Sequence, residues 1–207
     1  MKKLLGKMRG HFDSQAVLRE KVSEMSRDVI RSASRAISAI HRNDRALSQK
    51  FLVDARRKMA AALKLVKDDK ELASSGIIFS AQQEYAEAEL VRGIAQNGRL
   101  FLPDEIKVPY KPYLSGMADA VGELRRMALD SIREGDVKRA EATLKFMEEM
   151  FDFMMEFDYA DAVLPGMRRK QDAARQIIEK TRGDLTMALR QERLERALRE
   201  KHEVRHG

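Results

Sequence analysis

Apolar positions recur at three- and four-residue steps along most of the chain, which is the spacing of one buried helix face. The clearest run comprises Val22, Met25, Val29, Ala33, Ile37 and Ile40. It predicts a first helix that starts near Asp13 or Ser14, either of which can cap it, and ends at about Ile40. Later helices are predicted over about 44–69, 71–96 and 113–133, from Asp136 onward, and after Pro165.

Glycine and proline mark the predicted helix ends. Asn97-Gly98 is a plausible end for the third helix, and Gly135 for the fourth. Three of the four prolines lie within 102–112, which we predict to be a loop. Gly183-Asp184 is expected to break or bend the last helix. The pattern predicts an all-α fold, an antiparallel bundle of about six long helices.

The bundle is predicted to be a single domain over residues 1–207. A basic N-terminal extension is expected over about 1–12, and a charged C-terminal tail over about 190–207. The fifth helix carries a seam rich in methionine, formed by Ala140, Leu144, Met147, Phe151 and Met154. Such a stripe is far more often part of the core or of a subunit interface than a cofactor-binding surface. We therefore predict that the seam is buried.

The amino-acid composition excludes some kinds of site and favours some kinds of partner. The chain has no cysteine, which excludes disulfides, thiolate nucleophiles and zinc–thiolate sites. The apolar start of the chain stops at Lys7, and no stretch approaches the length of a membrane span. We therefore expect a soluble cytoplasmic protein without a membrane partner. The formal net charge of +7 favours acidic partners such as nucleic acid.

A row of arginines runs along the first helix, roughly opposite the apolar run. Its members are Arg19, Arg27, Arg31, Arg35 and Arg42. Guanidinium groups at helical spacing suit phosphate backbones, and few aromatic residues lie nearby for base stacking. The alternative is a solvated face whose arginines pair with Glu20, Glu24 and Asp28. These acids are expected to be too few for that, and to lie off the row. We favour sequence-independent contact with a nucleic-acid backbone.

Two pairs of acids share helix faces. Glu84 and Glu87 lie three residues apart on the third helix, and Asp119 and Glu123 four apart on the fourth. If the helices pack as neighbours, the four carboxylates converge as oxygen ligands for Mg²⁺ or Mn²⁺, the ions that promote phosphodiester hydrolysis. The residues alone favour ordinary salt bridges, for which the candidate partners are Arg92, Arg125 and Arg126.

A di-iron bundle is excluded by the histidines. That centre needs two inward Glu-x-x-His motifs, and the sequence offers one, at Glu203 and His206 near its end.

Several blocks of the sequence resemble the translin family, which includes translin and translin-associated factor X. The first-helix segments 25–30 and 39–42 are similar to that family, and so are the segment 113–126 and the Gly135-Asp136 turn. The block Gln83-Glu84-Tyr85-x-Glu87-Ala88 resembles the catalytic branch, translin-associated factor X. The chain is compact, and in this it resembles a prokaryotic, archaeal member of the family.

The resemblance implies a metal-dependent endoribonuclease. In the catalytic branch, the acids that match Glu84, Glu87 and Asp119 take part in cleavage with Mg²⁺ or Mn²⁺, and Glu123 matches a further acid as ligand or supporting residue. It also implies a hollow oligomer, here a homo-octamer, that binds single-stranded or short duplex RNA, with single-stranded DNA as a further candidate ligand. The alternative is a non-catalytic single-stranded nucleic-acid-binding oligomer of the translin type.

Overall fold

The computed structural model describes residues 1–206, with side chains through residue 199, and this part of the chain contains helices and no strand. The helices are α1 (Lys2–His41), α2 (Arg45–Leu65), α3 (Lys70–Ala73), α4 (Gly76–Arg92), α5 (Pro103–Ile106), α6 (Tyr110–Arg133), α7 (Val137–Met155) and α8 (Met167–His206). The predicted all-α class is confirmed. Among the helices of residues 1–206, none has the length and apolar character needed to cross a membrane.

The chain divides into two compact units, Met1–Gly116 and Met117–Gly207, with the boundary inside α6. In the first unit α1 packs against α2 and α4. The apolar run of α1 faces these helices, with Val22 and Val29 fully buried. Val22 joins an apolar cluster whose other buried members are Ala62, Val66, Leu72 and Ile78.

In the second unit α7 packs against α8. The methionine-rich seam of α7 is shielded from solvent: Met147 and Met154 are fully buried and Phe151 is half-buried. The Gln171 amide donates a hydrogen bond of 2.7 Å to the Met154 carbonyl, which anchors the first turn of α8 to the end of α7. The interpretation of the seam as burial is therefore confirmed.

The predicted helix ends at Gly98 and Gly135 and the predicted cap at Asp136 are confirmed. Asp136 caps α7 by accepting a 3.0 Å hydrogen bond from the Arg139 amide, and Gly135 before it has a φ of +79°, which glycine adopts without strain. Gly98 ends a five-residue π-helical turn that continues α4, with a φ of +63°.

The predicted start of the first helix is wrong, because α1 begins at Lys2. Ser14 does not cap a helix; its hydroxyl donates to the Gly10 carbonyl one turn earlier, within the same helix. Residues with helical preference on both sides of a potential cap allow the helix to continue through it. Residues 2–16 have exposed side chains, so α1 extends outward from the first unit's core.

Other boundaries also differ. The predicted third helix is divided into α3 and α4, because the helix stops at Ser74 and resumes at Gly76. The predicted loop 102–112 contains the short helix α5 and the first turn of α6. The predicted break at Gly183-Asp184 does not occur: α8 continues through it, and Asp184 accepts a 2.8 Å hydrogen bond from Arg125.

Candidate nucleic-acid and metal site

The predicted arginine row lies on the solvent side of α1. All five members have exposed side chains; Arg19, Arg27, Arg31 and Arg35 lie on α1, and Arg42 directly follows its last residue. The apolar run on the other side of the helix is buried or half-buried. The division of α1 into an apolar and a basic face is therefore confirmed, while the contact of the basic face with nucleic acid stays a prediction.

Asp28, an acid that was expected to lie off the arginine row, forms an ion pair with one of its members. Arg31 forms an ion pair with Asp28, three residues earlier on the same helix. The expectation that the neighbouring acids leave the row unpaired is therefore wrong for Asp28, because side chains at this spacing reach each other on a helix. Arg27 donates to the Ser23 hydroxyl at 3.1 Å, a contact that leaves its charge available.

Asp28 also borders a charged network between α1 and α2. Lys58 lies 2.7 Å from an Asp54 oxygen and 3.9 Å from Asp28. The Ser32 hydroxyl of α1 donates to Asp54 at 2.8 Å. Hydrogen bonds from Lys58 above all, and also from Ser32 and Arg57, lower the pKa of Asp54 to about 2. The network keeps Asp54 ionised and fixes the two helices beside the basic face.

On α4, Glu84 is half-buried and Glu87 is buried, with 8% of its surface exposed. The first turns of α6 lie directly against this part of α4. A Cβ at Gly116 would come within 2.5 Å of the Gln83 carbonyl oxygen and 2.9 Å of the Glu87 amide nitrogen. The Ser115 hydroxyl donates to the Gln83 side chain at 2.7 Å. Gly116 thus permits a backbone-to-backbone contact at the turn that carries both acids.

A third acid of α4, Glu89, has a structural role that was not predicted. It is 5% exposed, and it accepts hydrogen bonds from the Tyr85 hydroxyl at 2.8 Å and from Arg92 at 2.7 and 3.0 Å. Burial, together with the Glu89 charge, raises the pKa of Tyr85. The sequence did contain a signal for these contacts: Tyr85 lies four residues before Glu89, and Arg92 lies three residues after it, so all three share one helix face. Arg92, a candidate partner of Glu84 and Glu87, is thus bound to Glu89.

On α6, Asp119 and Glu123 are half-buried. Both oxygens of Asp119 lie 2.6 Å from the ammonium nitrogen of Lys170 on α8. The sequence gives no local signal for this contact, because 51 residues separate Lys170 from Asp119. Arg125, another candidate partner of these acids, binds Asp184 instead.

The chemistry of the four predicted ligands fits a hard divalent cation. All are carboxylates, the donors that Mg²⁺ and Mn²⁺ prefer, and each is at least half-buried. Asp119 already holds one positive group. Among the side chains described, those of residues 1–199, however, no group of three or more histidine, cysteine, aspartate or glutamate residues is arranged to hold a metal ion. The meeting of the α4 acids with the α6 acids stays a prediction.

Comparison with known proteins identifies one family and several similar proteins. The model of the translin family matches residues 17–182. An uncharacterised protein of Methanocaldococcus jannaschii is 31% identical over 169 residues, which are 81% of this chain and 75% of that protein.

Among solved structures, AfC3PO bound to duplex RNA superposes with a TM-score of 0.82 at 30% identity, over 89% of this chain and 95% of that one. A crystal structure of AfC3PO has the same TM-score and identity, with coverage of 89% and 96%. Apo-NeC3PO has a TM-score of 0.81 over 89% and 96% of the two chains, and at 18% identity it supports the fold alone.

Proposed function

The chain belongs to the translin family, and from that premise we propose that it binds RNA and cleaves it as a metal-dependent endoribonuclease. One observation carries the RNA-binding part of the proposal: an exposed row of five arginines lies on a chain 30% identical to AfC3PO, whose structure includes duplex RNA.

The basic face of α1 is the proposed RNA-binding surface. Arginine keeps its charge at any physiological pH and binds phosphate oxygens through paired N–H groups. Arg27 and Arg35 contribute most, since Asp28 already neutralises Arg31. This surface binds the backbone of single-stranded or short duplex RNA, and of single-stranded DNA, without reading the sequence.

The proposed catalytic centre consists of Glu84 and Glu87 from α4 and Asp119 and Glu123 from α6. These carboxylates would hold Mg²⁺ or Mn²⁺. Such an ion, when bound, supplies positive charge to the scissile phosphate and activates water. The buried position of Glu87 supports this role, because a shielded carboxylate is stabilised by a nearby cation. The Glu84-Tyr85-x-Glu87 block, which resembles the catalytic branch of the family, supports it as well.

We also propose that the chain assembles with copies of itself, as a hollow homo-octamer. Large apolar side chains are exposed toward both ends of the chain, as expected of surfaces covered by other subunits. They are Leu4, Leu5, Met8 and Phe12 on α1, and Met187, Leu194 and Leu198 on α8.

Cleavage of end-labelled RNA tests the proposal. Single-stranded RNA and a short duplex are incubated with Mg²⁺ or Mn²⁺, with and without EDTA. We expect cleavage that EDTA abolishes and that Glu87→Gln lowers by at least about a hundredfold, the upper range for the loss of groups that merely support a metal ligand. Glu141→Gln, the same change at an exposed position of α7, serves as the matched control and should cut at the wild-type rate.

Two results would contradict the proposal in different ways. Equal cleavage by wild type and Glu87→Gln would show that the catalytic site is assigned to the wrong residues. Salt-sensitive RNA binding with no cleavage under any metal condition would instead identify a non-catalytic nucleic-acid-binding oligomer.

A further inference from the structure

The contact between Lys170 and Asp119 places a positive charge at a predicted metal ligand. The ammonium nitrogen lies 2.6 Å from each carboxylate oxygen, so it engages both oxygens that a metal would use. The two side chains are 23% and 32% exposed, respectively, so water screens the pair only in part. This is a close, two-oxygen ion pair rather than a loose surface contact.

The backbone of Lys170 is held in place by its neighbours in the first turn of α8. Gln171 is buried and bonded to the Met154 carbonyl, and Met167 is 4% exposed. The ammonium reaches Asp119 on a flexible four-carbon chain. Lys170 can therefore release the carboxylate by a side-chain rotation, without displacement of α8.

A lysine and a metal ion compete for binding to one carboxylate. Both are cations that bind carboxylate oxygens, and two positive charges in contact with one carboxylate repel each other. Partial burial of the Asp119 carboxylate makes its charge costly, and a cation at contact distance offsets that cost. In a protein that binds its metal reversibly, an internal cation at this position stabilises the carboxylate while the metal is absent.

We propose that Lys170 is an internal competitor for the metal at Asp119. It neutralises and orients the carboxylate in the metal-free protein, and it has to release Asp119 before Mg²⁺ or Mn²⁺ binds there. Lys170 is thus a positioning residue that sets the metal affinity. This inference rests on the proposed function, since it assumes that Asp119 is a metal ligand.

Titration calorimetry with Mn²⁺ in the absence of RNA tests the inference. We expect Lys170→Met to bind Mn²⁺ roughly tenfold more tightly than the wild type, a difference of about 1.4 kcal/mol in binding free energy. Lys170→Arg keeps the charge and should bind near the wild-type affinity. Lys180→Met, the same change at an exposed position of α8, is the matched control and should not alter binding.

The variants separate failure of the inference from failure of the metal site. Circular dichroism first establishes that each variant folds. If Asp119→Asn abolishes Mn²⁺ binding while Lys170→Met binds as the wild type does or more weakly, the metal site stands and the competitor role is wrong. If Asp119→Asn binds Mn²⁺ as well as the wild type, or if no variant binds it, the proposed metal centre itself is wrong.

Discussion

Asp54 shows how single side chains set the charge of the basic face. It lies between Lys58 and Ser32, and its ionised form accepts hydrogen bonds from both. Ion pairing with Lys58 keeps this lysine beside the helix and neutralises it, as Asp28 neutralises Arg31. The positive charge that remains for a polyanion therefore comes from other members of the row, such as Arg27 and Arg35.

The Asp54 interaction predicts a specific pH dependence. Its pKa of about 2 in the folded chain lies below the value of 3.8 for a free aspartate, so ionised Asp54 stabilises the fold. This stabilisation is complete above pH 3.8 and is lost as the pH falls through about 2. Carboxyl NMR should give a midpoint near 2, and Lys58→Met should raise that midpoint toward 3.8.

The exposed Lys50 of α2 offers the control. Lys50→Met should leave the Asp54 midpoint unchanged. A midpoint near 3.8 in the unaltered protein would show that the Lys58 hydrogen bond does not form in solution.

At the scale of whole elements, the approach of α6 to α4 depends on one glycine. An added Cβ at Gly116 would meet backbone atoms of α4 at 2.5 and 2.9 Å, and backbone cannot rotate away as a side chain can. Gly116→Ala should therefore lower the free energy of unfolding by about 1–3 kcal/mol, the usual cost of overpacking. Urea denaturation followed by circular dichroism measures the difference.

Gly122, six residues further along α6, provides the matched control. A Cβ there meets no atom within 4 Å, so Gly122→Ala should raise the free energy of unfolding by about 0.5–1 kcal/mol through helix propensity. Equal effects of the two substitutions would show that the close approach at Gly116 does not exist.

For the whole molecule, the basic face predicts how RNA binding responds to salt. Each arginine that binds a phosphate releases counterions, so removal of two should reduce the slope of log K against log salt by about 1.4 for single-stranded RNA. Arg27→Ala with Arg35→Ala is the informative pair, because these arginines lie in the row and are not paired with Asp28. Fluorescence anisotropy at several salt concentrations gives the slope.

Arg133→Ala with Arg196→Ala removes the same charge from exposed positions outside the row. We expect this pair to retain nearly the full salt dependence. If both double variants lose the same slope, RNA binding follows net charge and not the face of α1.

The sequence by itself determined the features that depend on near neighbours. The apolar spacing from Val22 to Ile40 specified the buried side of α1, and the arginine spacing specified its exposed side. Gly135 and Asp136 specified a helix end and the next cap. These features depend on backbone preferences and side-chain directions within one or two turns, which a single sequence displays directly.

Only the tertiary structure decided which distant residues meet. The pairing of Lys170 with Asp119, the binding of Arg125 to Asp184, and the close approach at Gly116 all depend on how helices pack. Periodicity shows which face of a helix is buried but not which residue on another helix lies opposite it. Helix α1 also continued through Ser14, because a residue able to cap a helix does not end it while its neighbours favour the helical state.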